Sequence, residues 1–230
     1  MYVIARAGGT PKRITFLERI VGGPAWSPDG SRLAFCADDG GVRNVWTMAA
    51  DGGRPGAFAN SRCTTSGTEV PVSWAPGRDI LYQTDGNRNY QILNPETQAE
   101  TPMLTDAHVG WAFGPRAGAR GIALMWNQPG RRGTWILPPD KPARFVAPSV
   151  WPLAWSRDGA TIYGFNDETA DVVEVSINDG TTRVRRSLQP ARVALVPAVT
   201  PDLAHVVYSA HAILSDVWTV KHFDPTAVGR

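Results

Sequence analysis

The segment from Pro24 to Phe35, "PAWSPDGSRLAF", returns in weaker form as "PLAWSRDGATIYGF" over residues 152–165. Aligned on itself, the chain shows five anchors, at Trp26, Trp74, Phe113, Trp155 and Val199. They recur roughly every 40 to 50 residues, the range of a solenoid or a propeller unit. A unit of that size cannot bury both of its faces, so neighbouring copies must stack to make a core.

The content of each period decides between the two architectures. After each anchor comes a turn, rich in Pro, Asp and Gly in most units, and then an alternating strand such as "RLAFCA", "DILYQT", "TIYGFN" or "HVVYSA". A loop and a further strand follow ("NVWTMA", "NYQILN", "GTWILP", "DVVEVS", "DVWTVK"), and most units close with a polar turn and a weaker last strand. No segment sustains a helical period. Four short strands joined by tight turns make one propeller blade, which predicts an all-β propeller of four-stranded blades.

The "SPDG" stretch explains why the turn recurs. Pro28 presets φ for the second turn position, Asp29 offers its carboxylate to nearby backbone, and Gly30 accepts a positive φ without a Cβ clash. Trp26, just before it, is expected on the innermost strand, filling the gap between neighbouring blades.

The segment "PAWSPDGSRLAFCADDGGVRNVWTMAADGGRP" resembles the β-propeller repeat of TolB-like, WD-repeat-like proteins, which is similar in turn to the repeats of prolyl oligopeptidase propellers. Trp26 to Gly30 and "AADGG" carry the resemblance, while Gly77 and Arg116 stand where the repeat has aspartate. Five blades are readable, at 18–58, 59–104, 105–146, 147–188 and 189–223, after an N-terminal half blade at 1–17, all within one domain over 1–230. TolB-like propellers have six blades, so the resemblance implies a truncated or divergent six-bladed ring. The alternative is a five-bladed ring in which Lys12 to Phe16 serves as the last blade's outer strand. "SDVWTVKHFDP" resembles the close of TolB-like propellers attached to other bacterial domains.

Composition narrows the function. Hydrophobic residues make up 43% and charged residues 19% of 230, enough for a packed core and too little charge for a disordered chain. The net charge of +2 is scattered, which argues against a nucleic-acid partner; Arg183, Arg185 and Arg186 read as a solvated strand face. No apolar run reaches the ~18 residues of a membrane span. As written, the chain is expected in the cytoplasm, or in the periplasm if a signal peptide precedes it. Cys36 reads most simply as a buried small residue, with a bridge to Cys63 left open.

No G-x-S-x-G elbow, H-E-x-x-H helix or phosphate loop is present, so no catalytic residue, metal or cofactor is expected. His205 and His211 would stand about 20 Å apart in an extended segment, so they could share a metal only if the loop folded back. Propeller topology puts the inter-blade loops and the loops between second and third strands on one face. These are the longer, more varied connections, and loops on a rigid scaffold are where binding concentrates. The candidate binding residues there are Asp38, Arg43, Asp85, Arg88, His108, Arg131, Asp167 and His211, on loops that also carry Asp39, Glu69, Asp106, Arg132, Glu168 and Asp171. Trp111 and Trp126 lie nearest that face, with inter-blade packing as their expected role. Mixed charge suits a protein or peptide partner. The reading is a monomeric, non-catalytic interaction module, unless an incomplete ring closes by dimerisation. The alternatives are the propeller portion of a prolyl oligopeptidase-like peptidase and a propeller lyase or glycan-acting enzyme.

Overall fold

The computed structural model describes residues 1–5, 7–15, 24–63, 72–75, 77–84, 90–104, 111–189, 193, 196–200 and 204–208. Every described element of two or more residues is a strand. An N-terminal pair, β1 (Tyr2–Val3) and β2 (Lys12–Arg13), forms a two-stranded sheet. Four four-stranded antiparallel sheets follow. The first holds β3 (Ala25–Trp26), β4 (Arg32–Asp39), β5 (Val42–Ala49) and β6 (Gly56–Arg62). The second holds β7 (Val72–Trp74), β8 (Ile80–Gln83), β9 (Tyr90–Leu93) and β10 (Glu100–Leu104). The third holds β11 (Trp111–Gly118), β12 (Gly121–Gln128), β13 (Arg131–Leu137) and β14 (Arg144–Pro148). The fourth holds β15 (Val150–Trp155), β16 (Thr161–Asn166), β17 (Asp171–Ser176) and β18 (Thr182–Ser187). A last pair, β19 (Ala198–Val199) and β20 (Val206–Val207), makes the second two-stranded sheet.

In each four-stranded sheet the spatial order follows the chain order, as in an up-and-down propeller blade. The two half sheets at the ends are consistent with a blade split between the N- and C-terminal parts of the chain. The core lies between blades. Ala34, Cys36 and Val45 of the first full blade meet Val72, Trp74 and Tyr82 of the second. Tyr90 meets Ala112, Leu124 and Trp126, and Ala123 and Ile136 meet Val150, Ile162 and Val173. Leu153 and Phe165 then meet Val199 and Val206, while Met1, Val3 and Ile14 cover Leu33, Phe35 and Trp46. No blade owns a core of its own, which is why the repeat must be iterated.

The "SPDG" turn has the expected chemistry. Ser27 Oγ and Ser31 N–H donate to Asp29 Oδ1 at 2.7 and 3.0 Å, Gly30 N–H donates to the Ser27 carbonyl, and Gly30 has φ 71°. The fourth full blade repeats it through Ser156, Asp158 and Gly159. In the second, where Gly77 replaces the aspartate, Arg78 takes the left-handed position at φ 74°. The third departs further. "GPRAG" is no turn: β11 continues through it with a bulge between Phe113 and Arg116, and the hairpin forms at Ala119–Arg120 instead. The missing aspartate alone does not explain this, since the second blade lacks it too and still closes its turn with Arg78 N–H donating to the Ala75 carbonyl at 3.2 Å.

Two further expectations are corrected. Trp26 does not fill an inter-blade gap and is 50% exposed. Its counterparts show what it lacks: Trp74 donates its indole N–H to the Ala25 carbonyl at 3.0 Å, and Trp155 donates to the Arg116 carbonyl at 2.7 Å. Each acceptor lies on the innermost strand of the preceding blade. Among the described residues, no backbone carbonyl accepts the Trp26 indole N–H. Cys36 is more than a buried small residue, since it is disulfide-bonded to Cys63, just past β6, with their Cα atoms 6.3 Å apart and both side chains buried.

Candidate interaction face

Strand alternation sorts the connections into two sets. The β4–β5, β12–β13 and β16–β17 hairpins and the blade-to-blade link at Ser149 lie on one face. Hydrogen bonds across blades show this directly: Ser149 N–H donates to the Arg132 carbonyl, and Asp167 N–H donates to the Ser149 carbonyl, each at 3.1 Å. The "SPDG"-type turns and the β5–β6, β9–β10, β13–β14 and β17–β18 connections occupy the other face. There Ala50 N–H donates to the Ser31 carbonyl and Ile177 N–H to the Ala160 carbonyl. The first face is the one the sequence nominates.

The third and fourth full blades build its best-defined patch. The Arg132 guanidinium grips the Asp167 carboxylate with two nitrogens, one of them at 3.1 Å from Oδ1. The Trp151 indole N–H donates to Asp167 Oδ2 at 2.8 Å, and Trp151 stacks on Phe113 with ring centroids 5.7 Å apart. Ser149 Oγ donates to Glu168, while the Asn166 side chain caps the N–H groups of Glu168 and Thr169. Ser149 itself holds a left-handed φ of 53°, fixed by these partners on both sides. Partial burial pushes the Asp167 carboxyl up, but the hydrogen bonds from Arg132 and Trp151 and the Arg132 charge outweigh it and hold the group below its ordinary range. The same pair raises the Arg132 guanidinium.

Of the residues nominated from sequence, Asp167 lies in this patch, and Arg131 is exposed beside it at the start of β13. Asp38 and Arg43 lie at the β4–β5 hairpin of the first full blade, where Asp38 Oδ1 accepts the Gly41 N–H at 2.8 Å, apart from the Arg132–Asp167 cluster. Asp85, Arg88, His108 and His211 lie outside the described residues, as does the Trp111 side chain. Trp126 is buried edge-on against Trp135 of the same blade at 5.5 Å, in the cluster that also holds Tyr90 of the preceding blade. Sequence reading gave no role to Ser149 or Trp151, whose parts depend on which blades become neighbours. Among the described residues, no group of three or more His, Cys, Asp or Glu side chains is placed to hold a metal. No helix among them is long and apolar enough to cross a membrane.

Blade topology, inter-blade core and repeated turns together define a β-propeller. The fold is TolB-like: the crystal structure of TolB from Acinetobacter baumannii superposes with a TM-score of 0.72 over 92% of this chain and 54% of that one, at 16% identity. A streptogramin B lyase structure shares the propeller fold with a TM-score of 0.57 over 91% of this chain and 68% of that one, at 13% identity. In sequence, the chain is 43% identical over 51 residues to the Tol-Pal system protein TolB of Anaeromyxobacter dehalogenans strain 2CP-1, covering 22% of this chain and 10% of that protein. The matched stretch is thus about a tenth of the length of that relative. No family model matches the chain.

Proposed function

We propose that this propeller is a non-catalytic protein-interaction module that presents its loop face to a polypeptide partner. The observation that carries the reading is the Arg132–Asp167–Trp151 cluster, braced to Ser149 and Glu168. Three separate connections are tied into one surface of mixed charge, and a preordered surface loses little entropy on binding. The likeness of the fold to TolB, which by its name is a component of a Tol-Pal system, supports the same class of role. The test is charge reversal on the exposed rim. Arg131→Glu and Arg43→Glu together are expected to weaken capture of the native partner at least tenfold with an unchanged melting temperature. Unaltered capture by this variant would remove the face from consideration.

The Cys36–Cys63 disulfide adds a compartment to the proposal. Buried structural disulfides persist where the surroundings are oxidising, which favours a periplasmic or extracellular setting. Cells lysed directly into denaturant with a thiol reagent should leave both cysteines unlabelled unless a reductant is added, and labelling of both without reductant would place the chain in a reducing compartment.

A further inference from the structure

A pocket of about 260 Å³ opens on the opposite face, between the third and fourth full blades. Its lining is mixed, with apolar surface from Ile136, Ile177, Pro138 and Pro139, of which the two isoleucines are almost wholly buried. Three cationic side chains from two connections and a strand converge on its rim: Arg120 from the β11–β12 hairpin, Lys141 from the β13–β14 connection and Arg144 from the start of β14. Arg144 is held in place by the Ile177 carbonyl. Arg120 and Lys141 are exposed and make no hydrogen bond or salt bridge to any described residue. Asp140 is the one acid in the wall. Asp158 lies beyond it, close enough for Arg120 to help hold its carboxyl low, with its hydrogen bonds already taken from Ser156 and Ala160. The wall therefore carries more positive than negative charge beside a partly apolar lining.

We propose that this pocket binds a carboxylate carried on a small apolar group. A bare inorganic anion would leave the apolar part of the lining, from Pro138, Pro139 and the isoleucines, uncovered, whereas an apolar group on the carboxylate would cover it. A volume of about 260 Å³ lies just below the ~300–1,000 Å³ of drug-sized sites, so the occupant has the size of one amino-acid residue. That chemistry is shared by a free small organic acid and by the C-terminal residue of a polypeptide. The proposal stands apart from the loop face, because all its residues lie on the other side of the blades.

The experiment is titration of the intact chain, followed by amide NMR shifts, with N-acetyl-leucine, N-acetyl-leucinamide, inorganic phosphate and a tetrapeptide ending in a free leucine carboxylate. N-acetyl-leucine is expected to bind at least tenfold more tightly than its amide or phosphate, with shifts centred on residues 136–144 and 177. Arg120→Ala with Lys141→Ala should weaken it at least tenfold, whereas Arg131→Glu on the loop face should leave it unchanged. Tighter binding of the tetrapeptide supports the site with a polypeptide C-terminus as its source; equal binding supports it with a small acid. Equal affinity for acid and amide, phosphate binding as tightly as the acid, no binding at 10 mM (about 2.7 kcal/mol), or indifference to the double substitution would each overturn the proposal.

Discussion

Arg116 stands where the repeat has aspartate, and the fold gives it a different task. Its Nε donates to the Leu153 carbonyl of the next blade at 2.9 Å, while its own carbonyl accepts the Trp155 indole. Burial lowers the affinity of this guanidinium for its proton, so its hydrogen bonds must offset desolvation. Arg116→Ala is expected to cost about 2 kcal/mol in urea unfolding, and Arg116→Lys to recover less than half, because an ammonium lacks the planar fork. A fully tolerated alanine would show that the two inner strands hold without it. Asp167 carries a pH-dependent prediction. Its folded-state carboxyl is held below the ordinary range, so its contribution is present above about pH 4 and is lost as pH falls through the lower folded value. The stability gap between wild type and Asp167→Asn should be about 1 kcal/mol at neutral pH and close in acid. A gap that persists at pH 2 would remove the Arg132 pairing as its cause. The turn residues were legible in sequence because their chemistry is local. Arg116 and Trp151 were not, because their partners lie 37 and 16 residues away.

At the scale of the strand, the repeated tryptophans form an internal experiment. Trp74 is 8% exposed and bonded to the preceding blade, while Trp26 at the equivalent anchor is 50% exposed. Trp74→Ala should therefore cost about 3–5 kcal/mol and Trp26→Ala under about 1 kcal/mol in the same denaturant assay. Equal costs would mean that Trp26 is as well covered as its counterpart. Strand alternation and turn signals marked where the strands lie, since both are written within a few residues. They did not mark the bulge that carries β11 through Pro115, because a bulge answers to the partner strand's register. Nor could they supply what sits beside Trp26, which depends on the neighbouring sheet.

Over the whole molecule, each blade contributes half of two cores, and function is left to the connections between strands. The two faces follow from strand alternation alone, which is why the loop face could be nominated before any contact was known. Two features of the molecule needed the folded chain: the Arg132–Asp167–Trp151 cluster on that face and the buried Cys36–Cys63 bond, each made by residues distant in sequence. The measurement that bears most directly on the interaction reading is a photo-crosslinking scan in the native cell. A photoreactive residue would be placed at Arg43 and Arg131 on the loop face and at Arg54 and Arg157 on the turn face. Adducts of one partner mass at 43 and 131, with none at 54 and 157, are the predicted result. Adducts confined to 54 and 157 would contradict the account and move the interaction surface to the other side of the propeller.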